Sequence, residues 1–374
     1  MSPVQALILA GGEGTRLRPL TKNRPKVLLP VGNKPILGYV LDAVVKAGIR
    51  DITVVVGYQK EQVMKFLNTY PLDVNVVIQP KQLGSYDAMV CGAKNIHGDA
   101  IVLSGDNYID AASLSALLEH KNSILAAPHQ RPWEYGVVFQ QDMHLLDIKD
   151  AAEHVTPGSL VSCGMYYFEK EYLDFIVQNG IHAIMHEFRT GRYAAGVVVA
   201  NDWRDASNPR DLIALNAHVL ERQATSIRGI IDKGAKIRGH VVIGKNTKIG
   251  PGAVITGPVI IGDDCIIGPN VCIGEGTSLG DRVKIEPFTY LKNSIIMNDC
   301  HIGAQSRITD SVLGDGCILH QTATTTVDGV GAVVGDRATI NAFTILRGAV
   351  VGNNVTIDGG RLIEKEIPDN TRVM

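Results

Sequence analysis

The sequence predicts two architectures in one chain: an α/β domain built on a mostly parallel sheet, then an all-β parallel β-helix. Three observations predict it. Strand-like apolar runs alternate with helical patterns from Val4 to Asp106. From Ile237 onward, aliphatic residues recur every six positions. The composition also changes near Thr225–Gly229: 22 of the 39 glycines lie between Gly229 and Gly360. Both tryptophans, Trp133 and Trp203, precede that point, and only Phe288, Tyr290 and Phe343 supply aromatic rings after it. The expected domains are therefore residues 1–224 and 225–374, in keeping with the usual domain size for a chain of 374 residues.

In the first half, Val4–Ala10 is a short apolar run and reads as a buried strand. Ile36–Gly48 has helical spacing and a glycine stop. Thr53–Val56 is β-branched and apolar, and a helical stretch follows around Glu61–Leu67. Asn75–Ile78 reads as a strand, a helix is expected from Ser85, and Ala100–Leu103 is a further strand running into Ser104-Gly105-Asp106. Repeated strand–helix–strand units imply parallel strands with helices on both faces. Ligands of such sheets bind beyond the carboxyl ends of the strands, which directs attention to the segments after Ala10, Ile78 and Leu103.

In the second half, Ile237, Ile243, Ile249, Ile255, Ile261, Ile267, Ile273, Leu279, Ile285 and Leu291 keep a six-residue period without a slip. Neither an isolated strand nor a helix has that period; a short strand and a turn per hexad, wound into coils with the aliphatic residue inward, does. The phase breaks after Leu291 and across His320–Gly331, then returns with Ile345, Val351, Ile357 and Ile363. Gln321–Val327 is polar and out of phase, so a loop extruded from the coil is expected there.

Charge and cysteines narrow the function classes. Lys and Arg number 36 against 38 Asp and Glu, which argues against a protein whose main partner is a nucleic-acid backbone. No apolar run approaches the ~18–20 residues of a membrane span. Met1–Gln5 carries no basic-then-apolar leader pattern, so a cytoplasmic protein is expected. Cys91, Cys163, Cys265, Cys272, Cys300 and Cys317 form no CxxC pair and read as reduced, buried thiols rather than zinc ligands.

The stretch after the first strand, Leu7-Ile-Leu-Ala-Gly-Gly-Glu-Gly-Thr-Arg-Leu-Arg-Pro-Leu-Thr21, carries the most chemical information. Three glycines in four positions let backbone N–H groups approach an anion closely, and Arg16 and Arg18 follow at once. The spacing is neither that of a P-loop nor GxGxxG. Together with Pro25-Lys26 downstream, Gly11-Gly-Glu-Gly-Thr-Arg-Leu17 resembles the signature of sugar-1-phosphate nucleotidyltransferases. The resemblance covers the whole chain. It implies a Rossmann-like catalytic domain followed by a left-handed β-helix, and the reaction NTP + sugar 1-phosphate → NDP-sugar + pyrophosphate.

Residue by residue, the resemblance implies that Leu9, Ala10, Gly11, Gly12, Gly14 and Thr15 wrap the nucleotide. Gln79 with Gly84 and Ser85 would read its base. Arg16 would neutralise the β/γ-phosphates, and Lys26 the α-phosphate. Asp106, and Asp205 in Trp203-Arg-Asp205-Ala-Ser-Asn-Pro-Arg-Asp-Leu212, match the family's Mg²⁺ ligands, with Asp202 the fallback because Ser207-Asn208 replaces the family's Gly-Thr. On the sugar side Tyr135, Gly136 and Gly164 match, but the family's I-x-E-K-P reads Ile148-Lys-Asp-Ala-Ala152 here. Asp150 stands for the acid, Ala151 occupies the lysine position, and Lys149, one place early, faces the other way in a strand. The Leu83-Gly-Ser segment leans toward UTP with an N-acetylhexosamine phosphate. Thymidylyl members (dTTP with glucose 1-phosphate) and guanylyl members remain open.

Some relatives also acetylate an amino-sugar phosphate on the β-helix, using H-x-x-Y-x-G-D-S-x-x-G. Here Asp310, Ser311 and Gly314 fit, but Ala304 replaces the histidine and Arg307 the tyrosine, while His301 and His320 are off register. The expected role of the β-helix is therefore homo-oligomerisation, as a trimer or a multiple of one. A non-catalytic, nucleotide-sugar-sensing subunit is the other alternative, disfavoured by the retention of Arg16, Lys26, Asp106 and Asp205.

Overall fold

The computed structural model describes residues 4–150, 155–180, 195–325 and 331–374. The chain divides into two compact units. The first comprises residues 1–13, 25–28 and 36–205; the second comprises 14–24, 29–35 and 206–374.

The first unit is a nine-stranded sheet with helices. Its strands, in chain order, are β1 (Gln5–Ala10), β2 (Ile52–Val56), β3 (Asn75–Ile78), β4 (Ala100–Ser104), β5 (Ser123–Pro128), β6 (Gly136–Gln141), β7 (His144–Asp150), β8 (Leu160–Phe168) and β9 (Gly196–Val199). Among the described residues its α-helices are α1 (Ile36–Lys46), α2 (Lys60–Thr69), α3 (Ser85–Ala93), α4 (Ala111–Leu118) and α5 (Lys170–Asn179). Strand order is β3-β2-β1-β4-β8-β5-β9-β7-β6. The half formed by β3, β2, β1 and β4 is parallel throughout, as its strand–helix alternation predicts. Beyond β4, strand β8 runs antiparallel to both β4 and β5, β9 is parallel to β5, and β7 is antiparallel to β9 and β6.

β2 is buried at all five positions and β1 at five of six. Such unbroken apolar runs are what a strand covered on both faces requires. On one face Ile8, Val54, Ile101 and Leu103 pack with Leu37, Val40 and Leu41 of α1. On the other, Leu7, Val55 and Val102 pack with Met89 of α3 and Leu173 and Ile176 of α5. β6 and β7 form one hairpin, with His144–Gln141 and Asp150–Gly136 as its paired ends, and β6 pairs back onto β8 at Val161–Val137.

The second unit is a parallel β-helix whose short strands stack into three sheets of nine, nine and eight strands. All pairings between coils are parallel, for example Ile243–Ile261, Ile249–Ile267 and Ile255–Ile273. The hexad residues from Ile243 to Leu291 are buried in one continuous core, and Ile237 caps it, half-buried. Coil length explains the breaks in phase. From Ile230–Lys248 the coils repeat after 18 residues, as in Val241–Val259. From Ser278–Ile295 the repeat is 17, as in Lys284–His301 and Tyr290–Arg307. One residue lost per coil slips the six-residue phase while leaving the stacking intact.

Two expectations for this half are corrected. Ile345 is not the inward residue: it is 40% exposed, and Leu346, at 1%, fills the core. The segment Gln321–Val327 is not extruded as a whole, since Thr324–Thr325 pairs with Arg307–Ile308 and with Ile345–Leu346, and Thr325 is buried. Val327 lies outside the described residues. The repeat rises to 21 residues at Val312–Val333 against 17 at Arg307–Thr324, so four additional residues enter between Thr325 and Val333.

One corner of the β-helix carries a ladder of Asp and Asn side chains. Each accepts a hydrogen bond from the backbone N–H of its counterpart one coil earlier: Asp281 from Asp263, Asn298 from Asp281, Asp315 from Asn298, Asp336 from Asp315, Asn353 from Asp336 and Asp369 from Asn353, at 2.7–3.0 Å. This satisfies turn amides that the strands leave unpaired. Helix α6 (Pro209–Leu220) belongs to the same unit; its N-cap Asn208 accepts from Arg210 N and Asp211 N, and Asn216 donates to Gly276 O at 2.8 Å.

Candidate active site

Strand ends in the first unit bring most of the expected site residues together. β1 ends at Leu9 and Ala10, and Gly11 follows. A Cβ on Gly11 would lie 2.5 Å from Gln79 Oε1, so a larger residue here would displace the Gln79 amide. Gln79, just after β3, is buried; its backbone N–H donates to Val56 O at 2.8 Å. Its side-chain nitrogen donates to Asp87 Oδ2 at 2.8 Å and to Gly84 O at 3.2 Å. Gln79 thus braces the turn Gly84–Ser85 that begins α3, and Asp87, which nothing in the sequence spacing marked, completes the brace. Gly12 is exposed.

At the end of β4, the Gly105 N–H donates to Leu9 O at 2.9 Å, which aligns Asp106 with the end of β1. Lys26 reaches Asp106 Oδ2 at 2.7 Å and Asp205 Oδ1 at 3.8 Å. The Lys26 side chain is 11% exposed and that of Asp205 7%, so two carboxylates converge on one nearly buried ammonium. Burial makes such a group costly unless every charge has a partner. Further partners are present. Tyr135 Oη donates to Asp205 Oδ2 at 3.0 Å. With its amide nitrogen facing the carboxylates, Asn107 donates to Asp205 Oδ1 at 2.9 Å and to Asp106 Oδ1 at 3.3 Å, and accepts from Trp203 Nε1 at 3.3 Å. Asn107 was missed from sequence, although it directly follows Asp106. Tyr135 and Trp203 pack edge-on with each other and with His129. The short antiparallel pairing of Tyr108–Ile109 with Trp203–Arg204 fixes the spacing of Asp106 and Asp205. Burial, with Asp205 nearby, pushes the Cys163 thiol well up, so it is neutral here. Asp202, the fallback ligand, instead faces Arg204 at 3.6 Å.

The sugar-side candidates occupy the neighbouring hairpin and strand. Gly136 pairs with Asp150 across β6 and β7, and a Cβ there would meet Asp150 Oδ1 at 3.2 Å. Gly164 sits at φ +65° in an irregularity of β8 between Ser162 and Met165, where its missing side chain leaves room for Ser104 Oγ. Lys149 lies over the Phe139 ring, 5.4 Å from its centroid. Ala151 is outside the described residues.

Gly14, Thr15 and Arg16 belong to the second unit. Gly14, at φ +73°, starts a single 3-10 turn over Thr15–Leu17, and Arg16 is exposed on it. Among the described residues no three or more His, Cys, Asp or Glu converge as a metal site. The expected pair Asp106 and Asp205 comes together on Lys26. Its two hard oxygen donors, already gathered around a cation, fit an ion that takes its remaining ligands from phosphate and water.

The family described as Nucleotidyl transferase matches residues 5–222. The chain belongs to the nucleotidyl transferase family. Behind that match, residues 230–257 match Bacterial transferase hexapeptide (six repeats), and residues 255–367 match the GMPPB C-terminal domain. This nucleotidyl transferase is 31% identical to "Bifunctional protein GlmU" of Methanococcus maripaludis (strain C7 / ATCC BAA-1331), over 99% of this chain and 97% of that one. It is 29% identical to "Low-salt glycan biosynthesis nucleotidyltransferase Agl11" of Haloferax volcanii, over 90% of this chain and 99% of that one. It is also 29% identical to "Glucose-1-phosphate thymidylyltransferase" of Streptomyces antibioticus, over 66% of this chain and 74% of that one.

The β-helix holds a cleft of about 750 Å³ lined by Glu286, His301, Ala304, His320, Asn341 and Phe343 among others. His301 Nε2 lies 3.0 Å from Glu286 Oε1, and Lys284 Nζ 2.6 Å from the same oxygen. The Lys284 hydrogen bond first, and His301 with it, hold the Glu286 carboxyl below its ordinary range. The residues of the acetyl-transfer pattern that did match serve the coil. Ser311 is fully buried and donates to Thr309 O, and Asp310 accepts from Asn293 Nδ2 at 2.7 Å.

Proposed function

We propose that this chain is a sugar-1-phosphate nucleotidyltransferase, with residues 1–224 as the catalytic domain and 225–374 as an oligomerising β-helix. The observation that carries the reading is the nearly buried ammonium of Lys26 between Asp106 and Asp205, at the carboxyl ends of the parallel strands. A phosphate oxygen of the sugar 1-phosphate attacks the α-phosphorus of the NTP; the bond from that phosphorus to the β-phosphate bridging oxygen breaks, and pyrophosphate leaves. The nucleophile is already ionised at neutral pH, so no general base is needed, and the task is to align and neutralise two polyanions. Lys26 exchanges its aspartate partners for the α-phosphate, and Arg16 takes the β/γ-phosphates and the leaving group. Leu9, Ala10, Gly11, Gly12, Gly14 and Thr15 present backbone to the nucleotide, with Gln79, Gly84 and Ser85 shaping the base pocket. Tyr135, Gly136, Asp150 and Gly164 form the sugar side. Asp106 and Asp205 would hold Mg²⁺, which when bound supplies positive charge to the phosphates.

The Leu83-Gly-Ser segment leans toward uridylyl transfer, UTP with N-acetylglucosamine 1-phosphate, and the relative named "Glucose-1-phosphate thymidylyltransferase" toward dTTP with glucose 1-phosphate. Pyrophosphate release measured over a matrix of NTPs and sugar 1-phosphates with Mg²⁺ tests the reading. Turnover with one pair supports it, and none with any pair favours a nucleotide-sugar sensor. The six cysteines, all free thiols, suit a reducing cytoplasm; among the described residues no helix is long and apolar enough to cross a membrane.

A second reading is favoured by one observation: the Glu286–His301 pair in a cleft of the β-helix supplies a base that the sequence register did not. Since relatives of this chain are named bifunctional proteins, acyl transfer to an amino-sugar phosphate is the activity to test there. Acetyl-CoA consumption with glucosamine 1-phosphate that disappears in His301→Ala supports it, and no consumption by the unaltered chain removes it.

A further inference from the structure

The segment that follows the glycine-rich turn is fastened to the β-helix, within the second unit. Arg24 forms an ion pair with Asp315 and reaches Met297 Sδ at 2.9 Å. Asn23 donates to Asp336 Oδ2 at 3.0 Å. Lys22 Nζ lies 2.5 Å from Asp369 Oδ2, and Asn353 donates to Pro19 O at 3.4 Å. Of these partners, Asp315, Asp336, Asn353 and Asp369 belong to the Asp/Asn ladder. Each of the three carboxylates gives Oδ1 to a backbone N–H of the ladder and keeps Oδ2 for the segment. Three consecutive residues, Lys22-Asn23-Arg24, thus engage three different coils.

The hold reaches Arg16 through an unbroken run of local bonds. Lys22 N–H donates to Pro19 O, Leu20 N–H to Leu17 O, Arg18 N–H to Thr15 O and Leu17 N–H to Gly14 O, at 3.0–3.2 Å. Thr21 Oγ1 closes the segment by donating to Gly14 O at 2.9 Å. Leu17 and Thr21 are fully buried, while Arg16 is left exposed on this braced turn. Arginine costs much side-chain freedom to immobilise, and a misplaced cation forfeits transition-state charge stabilisation steeply.

We propose that Lys22, Asn23 and Arg24, with Asp315, Asp336 and Asp369, are positioning residues that hold the Arg16 turn in its working geometry. This rests on the transferase reading for the role of Arg16.

A double-mutant cycle on the full-length chain tests it. Asp315→Asn preserves the ladder acceptor and removes only the charge that meets Arg24, and Arg24→Gln removes the other side. Each single variant is expected to lower kcat/KM for the NTP about tenfold or more, with the KM for the sugar phosphate little changed. The double variant should be no worse than the poorer single, the mark of two groups acting through one contact. Asp281→Asn, on the ladder away from the segment, serves as the control and should leave activity and the NTP KM unchanged. Trypsin cleavage after Arg16 and Lys22, followed without substrates, should quicken in Asp315→Asn and Arg24→Gln but not in Asp281→Asn. Unchanged NTP kinetics in the singles, additive losses in the double, or equal losses in the control overturn the proposal. An active chain whose Asp315→Asn variant is cut no faster also overturns it. Absence of pyrophosphate release by the unaltered chain with every substrate pair refutes the transferase reading instead, which the proteolysis result distinguishes.

Discussion

At the residue scale, the group with most at stake is Lys26. Its ammonium is nearly buried and faces Asp106 and Asp205, so removing it strips the proposed site of its α-phosphate cation and leaves two carboxylates without their shared partner. Lys26→Ala is expected to lower kcat/KM by ~10²–10³-fold, the usual loss for one transition-state charge stabiliser, with the circular-dichroism spectrum unchanged. Asp106→Asn should lower activity as well, with excess Mg²⁺ recovering little; full activity would refute its proposed role. Sequence reading reached Lys26, Asp106 and Asp205 because each sits in a recognisable local pattern. It did not reach Asn107, Asp87 or the bond from Tyr135 to Asp205, because these depend on which strand ends meet rather than on spacing along the chain.

At the scale of elements, the β-helix shows how a period can be right and its phase wrong. The six-residue repeat marks inward residues while coils hold 18 residues, and slips when a coil has 17. Ile345 and Leu346 are the clearest case, since both are aliphatic neighbours and only the second is buried. Leu346→Ala is expected to cost ~2–5 kcal/mol in chemical denaturation, the usual penalty for an emptied core site. Ile345→Ala should stay within ~0.5 kcal/mol, as exposed substitutions do. Equal effects would show the assigned phase to be wrong. In the first unit the parallel half of the sheet was legible from alternating strands and helices. The antiparallel part, β5 to β9, was not, since its hairpin strands β6 and β7 are short of apolar alternation and their pairing, with β6 returning to β8, is set by long-range packing.

For the whole molecule, the fastening of Lys22 to Asp369 has a pH signature. Partial burial works against ionisation of Asp369, but the hydrogen bond from Lys22 and the Asn353 N–H outweigh it, with Lys22 and Arg18 charges adding to them, and hold its carboxyl below the ordinary 3.8. A carboxyl depressed on folding contributes stability above its unfolded pKa and loses it as pH falls through the folded one. The stability difference between the unaltered chain and Lys22→Met should therefore be flat from neutral pH down to the ordinary carboxylate range and vanish below it. Its size should be at most about 1 kcal/mol, since the pair is partly solvated. A difference that instead changed between pH 6 and 8 would point to another group. Sedimentation of the full chain as a trimer, or a multiple of one, is the expected outcome for assembly through the β-helix.

The amino-acid sequence alone determined the two architectures, the six-residue winding, the glycine-rich turn and the cation and carboxylates that the proposed chemistry uses. All of these are written in residues close together along the chain, where spacing and side-chain type carry the physics. Tertiary structure alone decided which carboxylates share Lys26, which residue of each coil faces inward after the coil shortens, and that the turn bearing Arg16 is fastened to Asp315, Asp336 and Asp369. Those partners lie about 290 to 350 positions from the segment they hold, and a contact at that separation leaves no periodic trace in the sequence because only the completed winding brings its two sides together.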